Sequence, residues 1–246
     1  MSDVTFRDLH GMREFRAAED LQRAVWGEGD LPDPADLMMV IQAEGGLVGG
    51  AFAEGRLLGY IFGFPTRTPQ VQHSHRLAVL VEARGMGLGL RLKQYQRDWC
   101  LARGITHVRW TFDPLRATNA ALNIHRLGAR ATTYLVDYYG EMEGINRGIP
   151  SDRLMADWYL NDPCVAAIAA GARLPSAPAS LRLPIPADIT ALLASDPAQA
   201  HQVQAALRAD LQAAFAEGLA ITDFDSRDCA YLLSETSLHD EGHMTA

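Results

Sequence analysis

Apolar and polar residues alternate along this chain with a period that changes repeatedly, and each change marks an element. "VTFRDL", residues 4–9, reads as a first strand. Over residues 11–26, Met12, Phe15, Ala18, Leu21 and Val25 recur at helical spacing. "LPDPADLMMVIQAEGG" predicts a second helix, with Asp33 before Pro34 as its start signal and the glycines as its stop. "LVGGAFAEGRLLGYIFGF" reads as two apolar strands around a Glu54-Gly55 turn, and "SHRLAVLV" as the next strand. The clearest helix covers 88–103: Leu88, Leu92, Tyr95, Trp99 and Ala102 make one stripe, and Lys93, Gln94, Arg97 and Asp98 lie off it. "THVRWTFD" is a strand ended by Asp113-Pro114, and "TNAALNIHRLG" a short helix stopped by Gly128. "ATTYLVDYYG" and "RLMADWYL" are late strands. Strands and helices mixed in this order predict an α/β fold with a mixed sheet.

The pattern then breaks. Residues 173–188, "RLPSAPASLRLPIPAD", carry four prolines, and their first half reads as a linker. "LRLPIP" predicts a strand, followed by two helices, the second running from about Pro197 to Glu217 with Val203, Leu207, Leu211 and Phe215 on one face. "LAITDF" and "CAYLLSE" close the pattern as strands. The expected division is a domain over 1–162, a linker over 163–180 and a small α/β subdomain over 181–246. That subdomain is small for an independent core, so it is expected to pack on the main sheet or on a second copy of the chain, a homodimer. The final "HDEGHMTA" reads as a frayed tail.

Composition narrows the chemistry. The 246 residues are 48% hydrophobic and 21% charged, an ordinary globular balance. A net charge of −8 argues against broad nucleic-acid binding, which needs clustered Lys and Arg. No apolar run is long enough for a membrane span and the N-terminus has no signal-peptide core, so a cytoplasmic location is expected. Three scattered cysteines without ligand spacing suit a reducing compartment and offer no metal motif.

The chemistry concentrates in "HSHRLAVLVEARGMGLG", residues 73–89. In the turn Arg84-Gly85-Met86-Gly87-Leu88-Gly89 a strand gives way to an amphipathic helix. A helix start leaves backbone N–H groups free at the positive end of its dipole, and glycines let an anion approach the backbone closely. The spacing fails the GxGxxG dinucleotide fingerprint and lacks the GK[ST] of a nucleotide P-loop. It fits [QR]-x-x-G-x-[GA], through Arg84, Gly87 and Gly89.

With that turn, the element order over roughly residues 4–160 resembles the GNAT superfamily of coenzyme A-dependent N-acyltransferases. The resemblance implies that the turn holds the coenzyme's pyrophosphate. It implies that the strand Leu77–Leu80 lines the pantetheine arm, and that the N–H of Val79 polarises the thioester carbonyl of acetyl-CoA or another short acyl-CoA. "NAALNIHRLGA" resembles the family's helix after the fifth strand, with Asn119 and Leu127-Gly128 in matching places, which implies a cofactor contact for Asn119. Ile124 stands where many members carry the tyrosine that protonates the leaving thiolate; Tyr134, Tyr138 and Tyr139 follow nearby. "SHRLAV", "WTFDPL" and "PSDRL" resemble a bacterial subgroup with a C-terminal extension, some of whose members are associated with N-acylamino-acid racemases. This implies an amino-acid acceptor and a succinyl donor beside acetyl. An anionic substrate would need an arginine, with Arg116, Arg126, Arg130, Arg147 and Arg153 as candidates. The alternative on the same fold is an acyl-CoA-binding module without turnover.

His73 and His75 supply a reason for turnover. Residues two apart share a strand face, so His73, His75, Leu77 and Val79 are expected on one side. An amine attacks only when neutral, and a lysine-like amine lies about 4.6 kcal/mol from that form at pH 7. An imidazole can take the proton at that pH. Four residues of strand, about 13 Å, separate His75 from Val79, a span for an acceptor and a water. The pair's spacing to Arg84 resembles that of the arylalkylamine N-acetyltransferases, whose histidines are linked to proton removal. Two histidines without a carboxylate in register make an incomplete metal set.

Overall fold

The computed structural model describes residues 3–27, 29–140, 148–175 and 178–235. They fall into two compact units, the first holding the described residues up to Trp110 with Tyr159–Asp162, the second holding the rest.

In the first unit β1 (Thr5–Asp8), β2 (Leu47–Ala53), β3 (Arg56–Pro65) and β4 (Val71–Val79) pair antiparallel in chain order. β5 (His107–Phe112) joins β4 in parallel. The β2–β3 connection is the expected two-residue turn, with Glu54 at φ 50° and Gly55 at φ 76°. Helices α1 (Gly11–Trp26) and α2 (Ala35–Ala43) cover one sheet face, where Phe15, Leu21 and Met38 meet Tyr60, Phe62 and Ala78. Helix α3 (Leu88–Leu101) covers the other. Glycines set its approach: a Cβ on Gly49 would stand 2.6 Å from the Tyr95 ring, and one on Gly59 3.2 Å from Leu92.

Lys93 overturns its expected place off the apolar stripe. It is 2% exposed, its ammonium donating to Ser74 Oγ (2.9 Å) and Gln96 Oε1 (3.2 Å) and standing 3.6 Å from the centre of the Trp110 ring. The stripe runs wider than the apolar residues mark, because polar side chains on α3 and β4 satisfy one another inside. Burial pushes Lys93 down to about 7. An unfolded lysine titrates at about 10.4, so between these values the unfolded chain holds more protons and stability rises with pH. Wild type is expected to gain stability from pH 7 to 9, by the order of 1 kcal/mol per pH unit. Lys93→Met is expected to lose that slope, as urea midpoints at the two pH values will report.

The second unit begins with α4 (Ala117–Ala120), which continues as a π-helical turn over Ala121–Arg126 and stops at Gly128, φ 73°. Its strands are β6 (Arg130–Leu135), β7 (Arg153–Tyr159), β8 (Leu181–Pro184), β9 (Leu219–Asp225) and β10 (Ala230–Glu235). β7 pairs with β6, β6 meets β9 at Ala131↔Ile221, and β10 lies between β9 and β8. Helices α5 (Pro163–Ala169), α6 (Ile189–Ser195) and α7 (Pro197–Ala216) complete the unit. Asp188 and Asp196 cap α6 and α7, and Pro197 opens α7.

Contacts therefore group the chain differently from the division drawn from its prolines. Residues 163–169 are helical where a linker was expected, and the C-terminal elements share a unit with residues 111–135. Strand pairing is one reason. Buried polar links are another: Tyr231 donates to the Pro114 carbonyl (2.7 Å), and Arg208 grips the wholly buried carboxylate of Asp152 (2.7 and 2.9 Å). The expected frayed tail lies outside the described residues. Among the described residues no helix is long and apolar enough to cross a membrane.

Candidate active site

Strand β4 organises the site, and its register is irregular. Gly59↔Val79 through Phe62↔Arg76 follow one register, and Gly63↔Ser74 follows another, so His75 is the extra residue of a β-bulge. The bulge overturns the expected single face. Past it, Leu77 and Val79 face α3: Leu77 Cδ2 lies 3.9 Å from a Cβ built on Gly89, and Val79 Cγ2 3.1 Å from one on Gly59. His73 and His75 turn to the α1–α2 side with Arg76, and both rings pack on Phe64, at 4.9 and 5.5 Å between centres.

Pairing of β4 with β5 covers Val71↔His107, Gln72↔Val108 and His73↔Arg109 and goes no further. Among the described residues, Ser74 to Val79 pair with β3 alone. Leu80 N–H donates to the Leu58 carbonyl (2.9 Å), so alternation turns the N–H groups of Leu77 and Val79 to the open edge. That edge runs through Leu80 and a short 3-10 turn, Val81–Ala83, into Arg84–Gly89. Gly85 (φ 83°) and Gly87 (φ 70°) occupy left-handed conformations, and nothing stands within 4 Å of a Cβ built on either. Gly87 is the N-cap of α3 and no side chain bonds the helix start, which leaves its first N–H groups free for a ligand. Arg84 and Met86 are exposed, while Leu88 anchors the turn in the core.

The histidines have unlike surroundings. Burial, with His75, Arg109 and Lys93 adding positive charge, holds His73 down at about 4, so its ring is neutral at neutral pH. His75 is more exposed, and its Nε2 lies 3.2 Å from Asp33 Oδ1. That carboxylate was missed because Asp33 before Pro34 reads as a helix cap. In the structure the first N–H of α2, at Ala35, is taken by Glu19 Oε2 (2.9 Å), and Asp33 serves the histidine instead. Arg76 (Nε to Asp33 Oδ2, 3.2 Å) and the buried Gln22, which bonds the Asp33 backbone, were missed with it.

The remaining candidates lie in the second unit. Asn119 is half-buried in α4, and Ile124 is buried. Tyr134 donates to Asp152 (2.7 Å), and burial with that bond raises its phenol far above the ordinary value; Tyr139 pairs with Thr111 (2.9 Å), and Tyr138 is exposed. Of the arginines, Arg116 lies 3.4 Å from Asp113, and Arg153 is buried beside Tyr139, with Asp113 and Arg116 among the charges acting on it. Arg147 lies outside the described residues.

Known proteins share this architecture. Solved structures resemble it at low identity: ribosomal-protein-S18-alanine N-acetyltransferase from Escherichia coli matches at 19% identity and TM-score 0.52, covering 64% of this chain and 94% of its own. Diaminobutyrate acetyltransferase from Paenibacillus lautus, solved with L-2,4-diaminobutyric acid and coenzyme A, matches at 18% and 0.52, covering 66% and 98%. A putative acetyltransferase from Salmonella typhimurium, solved with acetyl-CoA, matches at 18% and 0.51, covering 65% and 95%. Each is spanned almost whole and leaves about a third of this chain over, so the likeness extends to the fold of one domain. No curated protein matches the sequence. The model of the acetyltransferase (GNAT) family matches residues 12–129, just under half of the chain, and that stretch, which takes in β4, the glycine turn and the π-helical segment, is similar to a GNAT-family acetyltransferase domain.

Proposed function

We propose that this chain transfers a short acyl group, acetyl or succinyl, from coenzyme A to the amine of a small molecule by direct attack in a ternary complex. The observation that carries the reading is the open edge of β4, leading without interruption into the uncapped start of α3. The residues suit the coenzyme: Arg84, Gly85, Met86, Gly87, Leu88 and Gly89 would hold its phosphates, and Leu77, Val79 and Leu80 its pantetheine arm. Bound acyl-CoA supplies a thioester whose carbonyl carbon is the electrophile. The Val79 N–H, fixed in the strand, is a preorganised donor for an oxygen that gains negative charge. His75 removes the proton from the incoming ammonium, and His73, neutral and stacked on Phe64, shapes the wall beside it. Resemblance to the subgroup with a C-terminal extension supports an amino acid as the acceptor.

Gly89 provides the test. It lies inside α3 with only Leu77 near a built Cβ, so valine fits the fold but crowds the first free N–H groups. By calorimetry Gly89→Val is expected to lose at least tenfold in coenzyme A affinity while keeping the wild-type circular dichroism. Equal affinity in the two proteins overturns the pyrophosphate assignment, and an absence of coenzyme A binding by wild type overturns the function.

A further inference from the structure

Strand geometry normally prevents consecutive residues from reaching one partner, because their side chains leave opposite faces. At His75 the bulge removes that restriction. His75 and Arg76 both turn to the α1–α2 connection and take one carboxylate between them: His75 Nε2 lies 3.2 Å from Asp33 Oδ1, and Arg76 Nε 3.2 Å from Asp33 Oδ2. The carboxylate side chain is 16% exposed.

The backbone carrying that carboxylate is itself held. Gln22 of α1, 1% exposed, accepts from the Asp33 N–H (2.8 Å) and donates to the Asp33 carbonyl (3.3 Å). Arg76 also donates to the Leu31 carbonyl (3.1 Å), bonds Asp30, and lies 4.8 Å from the centre of the Trp26 ring. Asp33 is thus fixed through its main chain by a buried amide and through its side chain by a guanidinium. Such rigidity has no use in starting the helix, which begins beyond Pro34 and has its first N–H, at Ala35, taken by Glu19 (2.9 Å).

We propose that Asp33 is the positioning residue of His75: it accepts the Nε2–H, fixes that tautomer, and leaves Nδ1 as the atom that takes the proton from the acceptor amine. The proposal rests on the N-acyltransferase reading above. The chemistry follows from the donor inventory. An ionised carboxylate only accepts, so a neutral imidazole beside it must present N–H at Nε2 and its lone pair at Nδ1. Arg76 shares the charge of Asp33; the charged groups around the ring are Asp33, Asp30 and Arg76, and the neighbouring His73 is neutral, with Arg109 and Lys93 among the charges acting on it. The carboxylate therefore acts chiefly by orientation. During the reaction the acceptor ammonium first gives one proton, through water, to His75 Nδ1; the neutral amine nitrogen then bonds the acyl carbon, the C–S bond breaks, and the second nitrogen proton leaves with the coenzyme sulfur as the thiol. His75 then returns its proton to solvent. Asp33 holds the imidazolium throughout and takes no proton itself.

The test has one arm without turnover and one with it. Nitrogen NMR of the wild-type imidazoles above their titration range is expected to show His75 protonated at Nε2. In Asp33→Asn the amide can donate to Nε2, and the signal is expected to move to the Nδ1–H form. A wild-type His75 that carries its proton on Nδ1 overturns the proposal whatever the rates. In turnover, Asp33→Asn is expected to lower kcat by about 10²–10⁴, as when a histidine's orienting carboxylate is lost, with KM for acyl-CoA within threefold of wild type. The double variant Asp33→Asn/His75→Gln is expected to be no slower than His75→Gln alone, because the two residues act as one unit. Rate losses that multiply overturn the proposal and leave His75 as the base. A fully active His75→Gln overturns the base reading instead, and the NMR arm still decides whether Asp33 sets the tautomer.

Discussion

Replacing His75 with Gln is expected to lower kcat/KM for the amine by about 10²–10⁴, the usual worth of a positioned general base. Glutamine keeps a polar end at the bulge and can still face Asp33, so the fold and the Phe64 packing stay in place. Coenzyme A affinity should stay within a few-fold, since the glycine turn lies at the far end of β4. The loss is expected to shrink as pH rises: by pH 9.5 a lysine-like acceptor is about a tenth neutral without help. Profiles of kcat/KM against pH for both proteins decide it. Wild type should show a step that the variant lacks. Profiles of one shape differing by less than about threefold would make His75 a structural residue. His73 would be a weak substitute, because burial holds it at about 4 and deprives it of basicity at neutral pH.

A chain ending at residue 172 is expected to be insoluble or unfolded. The cut removes β9, the neighbour of β6, together with α7 and the apolar side chains Leu207, Leu211, Phe224 and Tyr231, all buried in the whole unit. It also strips Arg208 from Asp152, whose carboxylate has no exposed surface. Removing one partner of a buried pair costs about 3–5 kcal/mol, a large part of the roughly 5–15 kcal/mol that holds a domain together. Size-exclusion chromatography and thermal unfolding are the measurements. A soluble monomer melting like wild type would show that residues 173–246 form a dispensable attachment.

Most elements were legible in the sequence because their signals are local. Glu54-Gly55 gives the hairpin turn, the stripe from Leu88 to Trp99 gives α3, and Gly128 stops the helical turn before it. The glycine turn was legible for the same reason, since glycine spacing between a strand and a helix is a property of six consecutive residues. What escaped depends on distant partners. "HSHRLAV" contains nothing that marks one residue as extra; the bulge exists because β3 supplies one partner fewer on the other side. Asp33 carries the signature of a helix start, and only the fold brings it beside His75, forty-two positions later. Lys93 looks like solvent-facing charge until Ser74, Gln96 and Trp110 close around it. The prolines after residue 173 suggest a boundary, whereas pairing of β6 with β9 joins what lies on either side.

The bulge at His75 also lets the two halves of β4 vary separately. Everything from Arg76 onward keeps one register with β3 and leads into the coenzyme turn; everything up to Ser74 keeps another and borders the histidines. A substitution that redraws the acceptor wall, at His73 or in the connection bearing Asp30 and Asp33, leaves the alignment of Leu77 and Val79 untouched. Loss of His75 itself would close the bulge into a regular ladder, with Ser74 and Arg76 already paired to the consecutive Gly63 and Phe62, and would take away the imidazole without turning either half of the strand over. Acceptor choice is therefore open to change at the bulge while the register that leads into the coenzyme turn stays as it is.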